Sequence, residues 1–169
     1  MKTTNQILIL LAVLSLMSCR QLHVVTLYVD TENIDQSSID TNAHFGQPMR
    51  IANKHYLTNV KKGDWIIWQG WDTSDKPNKV SITAIEHDSG DNIIDQKEVN
   101  TKNISNQQNS ISFPKVFGKI KIVAGPGKKK DGEGNTITRY YLEEKYKLKF
   151  KVSNKPDDEF TIDPKIRSQ

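Results

Sequence analysis

The stretch "KKGDWIIWQGWD", Lys61 to Asp72, holds all three tryptophans of the chain within seven positions. Lys-Lys-Gly-Asp is turn material, and the run after it is rich in the aromatic and β-branched types that fill strands. Side chains of a strand alternate between its two faces. Trp65, Ile67, Gln69 and Trp71 therefore point one way, and Ile66 and Trp68 the other. In a two-layer β protein one face of a strand is core and the other at least partly wet. Ile66 and Trp68 make the tidier core row, which places Trp65 and Trp71 at a rim, although Ile67 also competes for burial. Two uses of the rim tryptophans stay open. One is ordinary packing, since tryptophan is well buried on average and its N–H finds a partner. The other is an aromatic ligand contact through Trp65 and Trp71, for a sugar ring or a partner's apolar patch.

Similar short runs recur on both sides. Residues 22–29 (LHVVTLYV), 49–57, 79–87, 92–99, 119–124, 139–152 and 159–162 are rich in Ile, Val, Tyr, Phe and Thr and are separated by Gly, Pro, Asn, Asp and Ser. The link "DSGDN", 88–92, has the composition of a hairpin turn. Residues 31–47 and 125–138 read as long loops. No segment keeps a 3.6-residue apolar period for long, and no internal repeat is visible. About eight short strands at this spacing predict an all-β chain folded as a single two-sheet antiparallel β-sandwich.

The segment "VKKGDWIIWQGWDTSD", Val60 to Asp75, resembles the entry strand of cupredoxin-like domains, in which a Lys-Gly-Asp turn leads into an alternating aromatic strand and a polar loop. The sandwich is thus expected to be cupredoxin-like or Ig-like. The resemblance does not extend to copper chemistry. Blue-copper sites take a Cys, two His and commonly an axial Met, whereas His23, His44, His55 and His87 are scattered and no His follows His87. A periplasmic metal carrier would need histidines to converge, and His44 with Met49 is the nearest approach to that, so no metal or cofactor is expected. The opening "VVTLYVD" and the closing "FTIDPKI" are similar to the DP-EP family, named for terminal Asp-Pro motifs, from which no function carries over. There Asp163-Pro164 would end the last strand, because proline cannot continue a central ladder.

The N-terminus sets the location. "MKTTNQILILLAVLSLMSCR" has one early cation, Lys2, and an apolar run from Ile7 to Met17 that is too short to span a bilayer. It ends in Leu16-Met17-Ser18-Cys19, which resembles the bacterial lipobox. The resemblance implies a signal peptide over residues 1–18, an N-terminal lipid on Cys19, and a single mature domain over 19–169. Arg20 rather than Asp follows the cysteine, which implies the outer membrane, and "CRQLHVV" lacks the acidic cluster that marks surface export, which points to the periplasmic face. Cys19 is the only cysteine, so no disulfide or thiol nucleophile is available to the mature domain. The first strand starts at Leu22, leaving a tether of about 10 Å when fully extended.

The chain is mildly basic, with 24 Lys and Arg against 20 Asp and Glu, and the distribution matters more than the total. In "KYKLKFKV", Lys145, Lys147, Lys149 and Lys151 alternate with apolar residues, the pattern of a half-buried strand. Lys119 and Lys121 repeat it, and Lys128, Lys129 and Lys130 lie in the glycine-rich segment between. If the two strands pair as a hairpin, one face and its tip carry all nine lysines. Such a face suits a membrane-protein complex, lipid phosphates or an anionic glycan, and it equally suits plain solubility and edge protection. Nucleic acid is an implausible partner for an exported chain.

Enzymatic readings find little support. Glu143-Glu144 and Asp157-Asp158-Glu159 are adjacent charges without a sign of a carboxylate pair across a cleft. Glu86, His87 and Asp88 are neighbours on a strand and face alternate ways. No phosphate loop, nucleophile elbow or zinc motif is present. The expectation is a non-catalytic, lipid-anchored accessory module, with glycan binding through Trp65 and Trp71 as the alternative.

Overall fold

A computed structural model describes residues 20–48, 50–76, 78–95, 100–104, 113–120, 128–130, 133–138 and 141–168. The segment Leu16–Cys19, on which the lipobox expectation rests, lies outside them, as do Met49 and Lys121. Among the described residues twelve strands follow in order: β1 (Leu22–Val29), β2 (Ala43–His44), β3 (Leu57–Val60), β4 (Trp65–Asp72), β5 (Val80–Gly90), β6 (Asn100–Ile104), β7 (Phe113–Lys119), β8 (Lys128–Lys130), β9 (Thr136–Thr138), β10 (Leu142–Val152), β11 (Lys155–Ile162) and β12 (Lys165–Ser168). One helical turn, Ile39–Asn42, and one 3-10 turn, Asn53–His55, interrupt them. No helix among the described residues is long and apolar enough to cross a membrane.

The chain is all-β and builds two facing sheets. Sheet 1 has the order β2-β1-β4-β7-β6, sheet 2 the order β11-β10-β12-β3 with β5 on the other edge of β10, and β8 with β9 forms a separate ribbon. The pairing is mixed rather than purely antiparallel. β1 lies parallel to β4 with Leu22 opposite Trp65, and β12 lies parallel to β3. Parallel neighbours need a crossover, and the chain between β1 and β4 supplies one.

Between the sheets, Val25, Leu27, Val29, Ile66, Trp68 and Val116 of sheet 1 meet Ile82, Ile85, Tyr146, Leu148, Phe150, Phe160 and Ile166 of sheet 2. Ile66 and Trp68 are the buried row of β4, as the alternation predicts, with Ile67 nearly as buried. The Trp68 indole N–H donates to the Tyr146 hydroxyl at 3.0 Å across the sandwich, and the rings meet edge to face, 5.8 Å apart. The indole rests on Gly118, where a Cβ would come within 2.7 Å of its Cζ3. β7 thus approaches the ring with bare backbone.

Several elements depart from their predicted bounds. The run 49–57 yields a 3-10 turn, with the strand starting only at Leu57. Asn53 is the cause: its N–H donates to Asp40 Oδ1 and its Nδ2 to the Ala43 carbonyl, which fixes a turn beneath the long loop. "DSGDN" closes no hairpin among the described residues, and residues 96–99 of the predicted run 92–99 lie outside them. β5 continues through Gly90 and pairs antiparallel with β10, while Ile94 bridges to Ile120 instead. Gly90 takes φ +89° where a Cβ would meet the Glu143 carbonyl at 2.4 Å. Asp163-Pro164 ends β11 after Ile162, as expected, but the sheet goes on, because the chain resumes at Lys165 as β12. β11 and β12 share one edge of β10 in one continuous register, Leu148 opposite Ile162 and Lys145 opposite Lys165. Pro164 lacks a donor, but its carbonyl still accepts from Tyr146 N at 3.1 Å.

Candidate functional site

Chemistry-bearing residues gather in three places: the start of β1, the outer face of sheet 2 and the outer face of sheet 1. The first is organised by Asp64, the acidic residue of the turn that the sequence shows before Trp65. Its carboxylate accepts from Gln21 N at 3.0 Å and Lys61 N at 2.8 Å, and meets His23 Nε2 at 2.8 Å. Trp65 N donates back to the Gln21 carbonyl at 2.9 Å. The two ends of the parallel pair are thus laced together by a carboxylate that is 2% exposed, beside a shallow pocket of about 190 Å³ lined by Gln21, His23, Asn59, Val60, Lys61 and Asp64.

Burial pushes the Asp64 carboxyl upward. The hydrogen bonds from Gln21, His23 and Lys61 outweigh it and hold the group below the ordinary carboxylate range. A carboxyl held lower in the folded than in the unfolded chain adds stability that is complete above the unfolded value, about 3.9, and is lost as pH falls through the folded one. Asp64→Asn is expected to cost about 1–3 kcal/mol at neutral pH, because the new amide turns a donor toward donors. It should also flatten the loss of stability below about pH 4. Urea unfolding of both proteins across that range checks it. Parallel acid limbs would refute the assignment.

On sheet 2 the lysines of β10 do face outward, but each has company. Lys145 Nζ lies 3.2 Å from Asp88 and 3.1 Å from Asp163, Lys147 Nζ 3.1 Å from Asp88, and Lys149 Nζ 2.8 Å from Glu86. Lys151 Nζ donates to the Pro156 carbonyl at 3.2 Å. Hydrogen bonds from Lys147 and Lys145 lower the Asp88 carboxyl, and Glu86 raises the Lys149 ammonium. Lower on the same face Glu143 receives Arg167 at 2.8 Å and Lys165 at 3.2 Å.

The nine lysines do not share a face. Lys119 belongs to β7 in sheet 1, as the register partner of Trp65. Lys128, Lys129 and Lys130 form β8 of the ribbon, and Lys121 lies outside the described residues. The hairpin expectation fails because β5 and β11–β12 occupy both edges of β10.

The acidic neighbours read in the sequence divide between different partners. Glu86 goes to Lys149 and Asp88 to Lys145 and Lys147, while His87 Nδ1 meets Glu144 Oε1 at 2.9 Å. Glu144 is fully buried and also accepts from the backbone N–H groups of Ile93 and Ile94. Of the other histidines, His44 stacks on Tyr28 at 5.4 Å and His55 sits in the 3-10 turn. The described residues hold no group of three or more His, Cys, Asp or Glu able to share a metal ion.

The outer row of sheet 1 is built by Leu22, Val24, Thr26 and Tyr28 of β1 and Trp65, Ile67, Gln69 and Trp71 of β4. Leu22 is 55% exposed, Val24 54% and Trp71 54%. Trp65 and Tyr28 are half-buried. Gln69 Nε2 donates to Thr26 Oγ1 at 3.0 Å, so the two polar residues of the row satisfy each other. Trp65 and Trp71 share this face but stand at opposite ends of β4, about 20 Å apart at strand rise, and a single sugar ring cannot touch both.

No family model matches the chain. No curated protein matches it either. Among solved structures the chain is similar to an inclusion body protein, PixA, from Burkholderia cenocepacia, at 13% identity and a TM-score of 0.49, over 91% of this chain and 98% of that one.

Proposed function

We propose that the protein is a non-catalytic interaction module, held by a lipid on Cys19 at the periplasmic face of the outer membrane and acting as an accessory to a membrane-bound assembly. The observation that carries this reading is the closure of Gln21 and His23 onto Asp64. The fold takes hold of the chain two residues after the lipobox cysteine, which leaves almost no slack between a membrane anchor and the sandwich. Docking through the lysine stripe is not included in the reading, because Lys145, Lys147 and Lys149 are already ion-paired within the domain. A glycan-binding module is the second reading, favoured by the exposed indole of Trp71. Sugar titrations followed by tryptophan emission distinguish it.

The anchor is tested with Cys19→Ser. The parent chain is expected to incorporate labelled fatty acid, start at Cys19 and partition with membranes, whereas the variant should take up no label and keep residues 1–18. A parent chain without an acyl mass, or one cut elsewhere, would overturn the reading. Gentle detergent extraction of the acylated protein should then show a co-migrating membrane protein.

A further inference from the structure

The two outer faces of the sandwich differ in kind. On sheet 2, cations and carboxylates alternate and neutralise one another. On sheet 1, none of the eight outward positions of β1 and β4 is charged. A sheet with one wet face ordinarily alternates apolar-in with polar-out, yet here Leu22, Val24 and Trp71 turn more than half of their surface outward. The row starts beside the chain's exit toward Cys19. At that same end Arg20, Lys61 and Lys62 are exposed and form no ion pair among the described residues. Aliphatic and aromatic side chains over a strip about 25 Å long, with cations at the end nearest Cys19, match the chemistry of a phospholipid interface. Trp and Tyr settle at headgroup depth, and Lys and Arg seek lipid phosphates.

We propose that the outer face of β1 and β4 lies on the lipid surface that holds the anchor, with Leu22, Val24, Trp65 and Trp71 at headgroup level and Arg20, Lys61 and Lys62 against phosphate. The inference rests on the lipid-anchor reading above and adds the orientation of the domain. The sandwich reclines on the membrane through sheet 1 and presents the ion-paired face of sheet 2 to the periplasm.

The test uses the mature acylated protein in vesicles of phosphatidylethanolamine and phosphatidylglycerol, with or without brominated acyl chains. Flotation and tryptophan emission are measured on the same sample. The vesicles are expected to float the protein and the bromine to quench its emission. Trp71→Phe and Trp65→Phe should each remove some of the quenching, and the buried Trp68 none. Leu22→Asp combined with Val24→Asp, both at exposed positions, should float normally and lose the quenching, with an unchanged near-ultraviolet dichroism reporting an intact core.

Protein that floats without bromine quenching, while aqueous iodide quenches Trp71, would overturn the orientation and leave the anchor standing. Floating protein shielded from both quenchers would overturn it in favour of a second copy on this face. Protein that does not float would remove the anchor reading, and the orientation with it.

Discussion

Trp68→Ala is expected to lower stability by about 3–5 kcal/mol, the range for emptying a large aromatic site in a core. For a domain of this length that is a fall in Tm of roughly 6–20 °C, at about 2–4 °C per kcal/mol. The reasons are local. Trp68 and Tyr146 are both at 0% exposure, one from each sheet. Removing the indole opens a cavity over the bare backbone of Gly118 and leaves the Tyr146 hydroxyl without its donor. Burial already pushes that phenol far above its ordinary range, and loss of the Trp68 hydrogen bond, which opposes the shift, pushes the same way.

Tyr146→Phe isolates the polar contribution. It keeps the ring and strands the indole N–H, at an expected cost of about 1–3 kcal/mol. The double variant Trp68→Ala, Tyr146→Phe should be more stable than the sum of the two losses implies, since no stranded partner remains. Thermal unfolding followed by far-ultraviolet dichroism measures all three. Strict additivity would mean that the cross-sheet hydrogen bond contributes nothing.

Glu144→Ala should cost a similar amount, about 3–5 kcal/mol, by a different route. Its carboxylate is the acceptor for Ile93 N and Ile94 N and the partner of His87 Nδ1. Alanine strands two buried N–H groups, each worth about 1–3 kcal/mol unsatisfied. The damage should spread, because Ile93 and Ile94 are buried core residues and Ile94 bridges to Ile120 beyond β7. Glu144 therefore ties β10 of sheet 2 to a loop that reaches sheet 1. Glu144→Gln keeps the shape and one acceptor and should cost less, whereas His87→Ala, at a partly exposed ring, should cost least. Hydrogen exchange at the Ile93 and Ile94 amides checks the mechanism directly. Protection there that survives Glu144→Ala would rule it out.

What the sequence reveals and conceals follows from the range of each interaction. β1 matches its predicted bounds, and β10 comes close, because period-2 alternation is local and long enough to read. The buried row of Ile66 and Trp68 follows from the same alternation. Strand order does not, since nothing in residues 22–29 says that they will lie parallel to residues 65–72. β12 is missed because "KIRS" is too short to alternate visibly and a proline precedes it. The lysine stripe is legible as a solvent face, but its neutralisation depends on β5 lying alongside β10, which brings Glu86 and Asp88 across. Asp64 reads as a turn residue, and its partner His23 lies 41 positions away. The hydrophobic outer row of sheet 1 needs the pairing of β1 with β4 before it becomes a surface at all.

The parallel pairing of β1 and β4 also has a mechanical consequence. If the chain is held at residue 19, as proposed above, any tug from that anchor runs along the axis of β1, an inner strand of sheet 1 with β2 on one side and β4 on the other. The hydrogen bonds over the eight paired positions from Leu22 to Val29 then bear the load together, in shear, and cannot break in succession as they do when an edge is peeled. Drag in the plane of a bilayer would pull along that same direction. The domain should therefore yield at high force when stretched from its N-terminus, and far more readily when pulled across the strands.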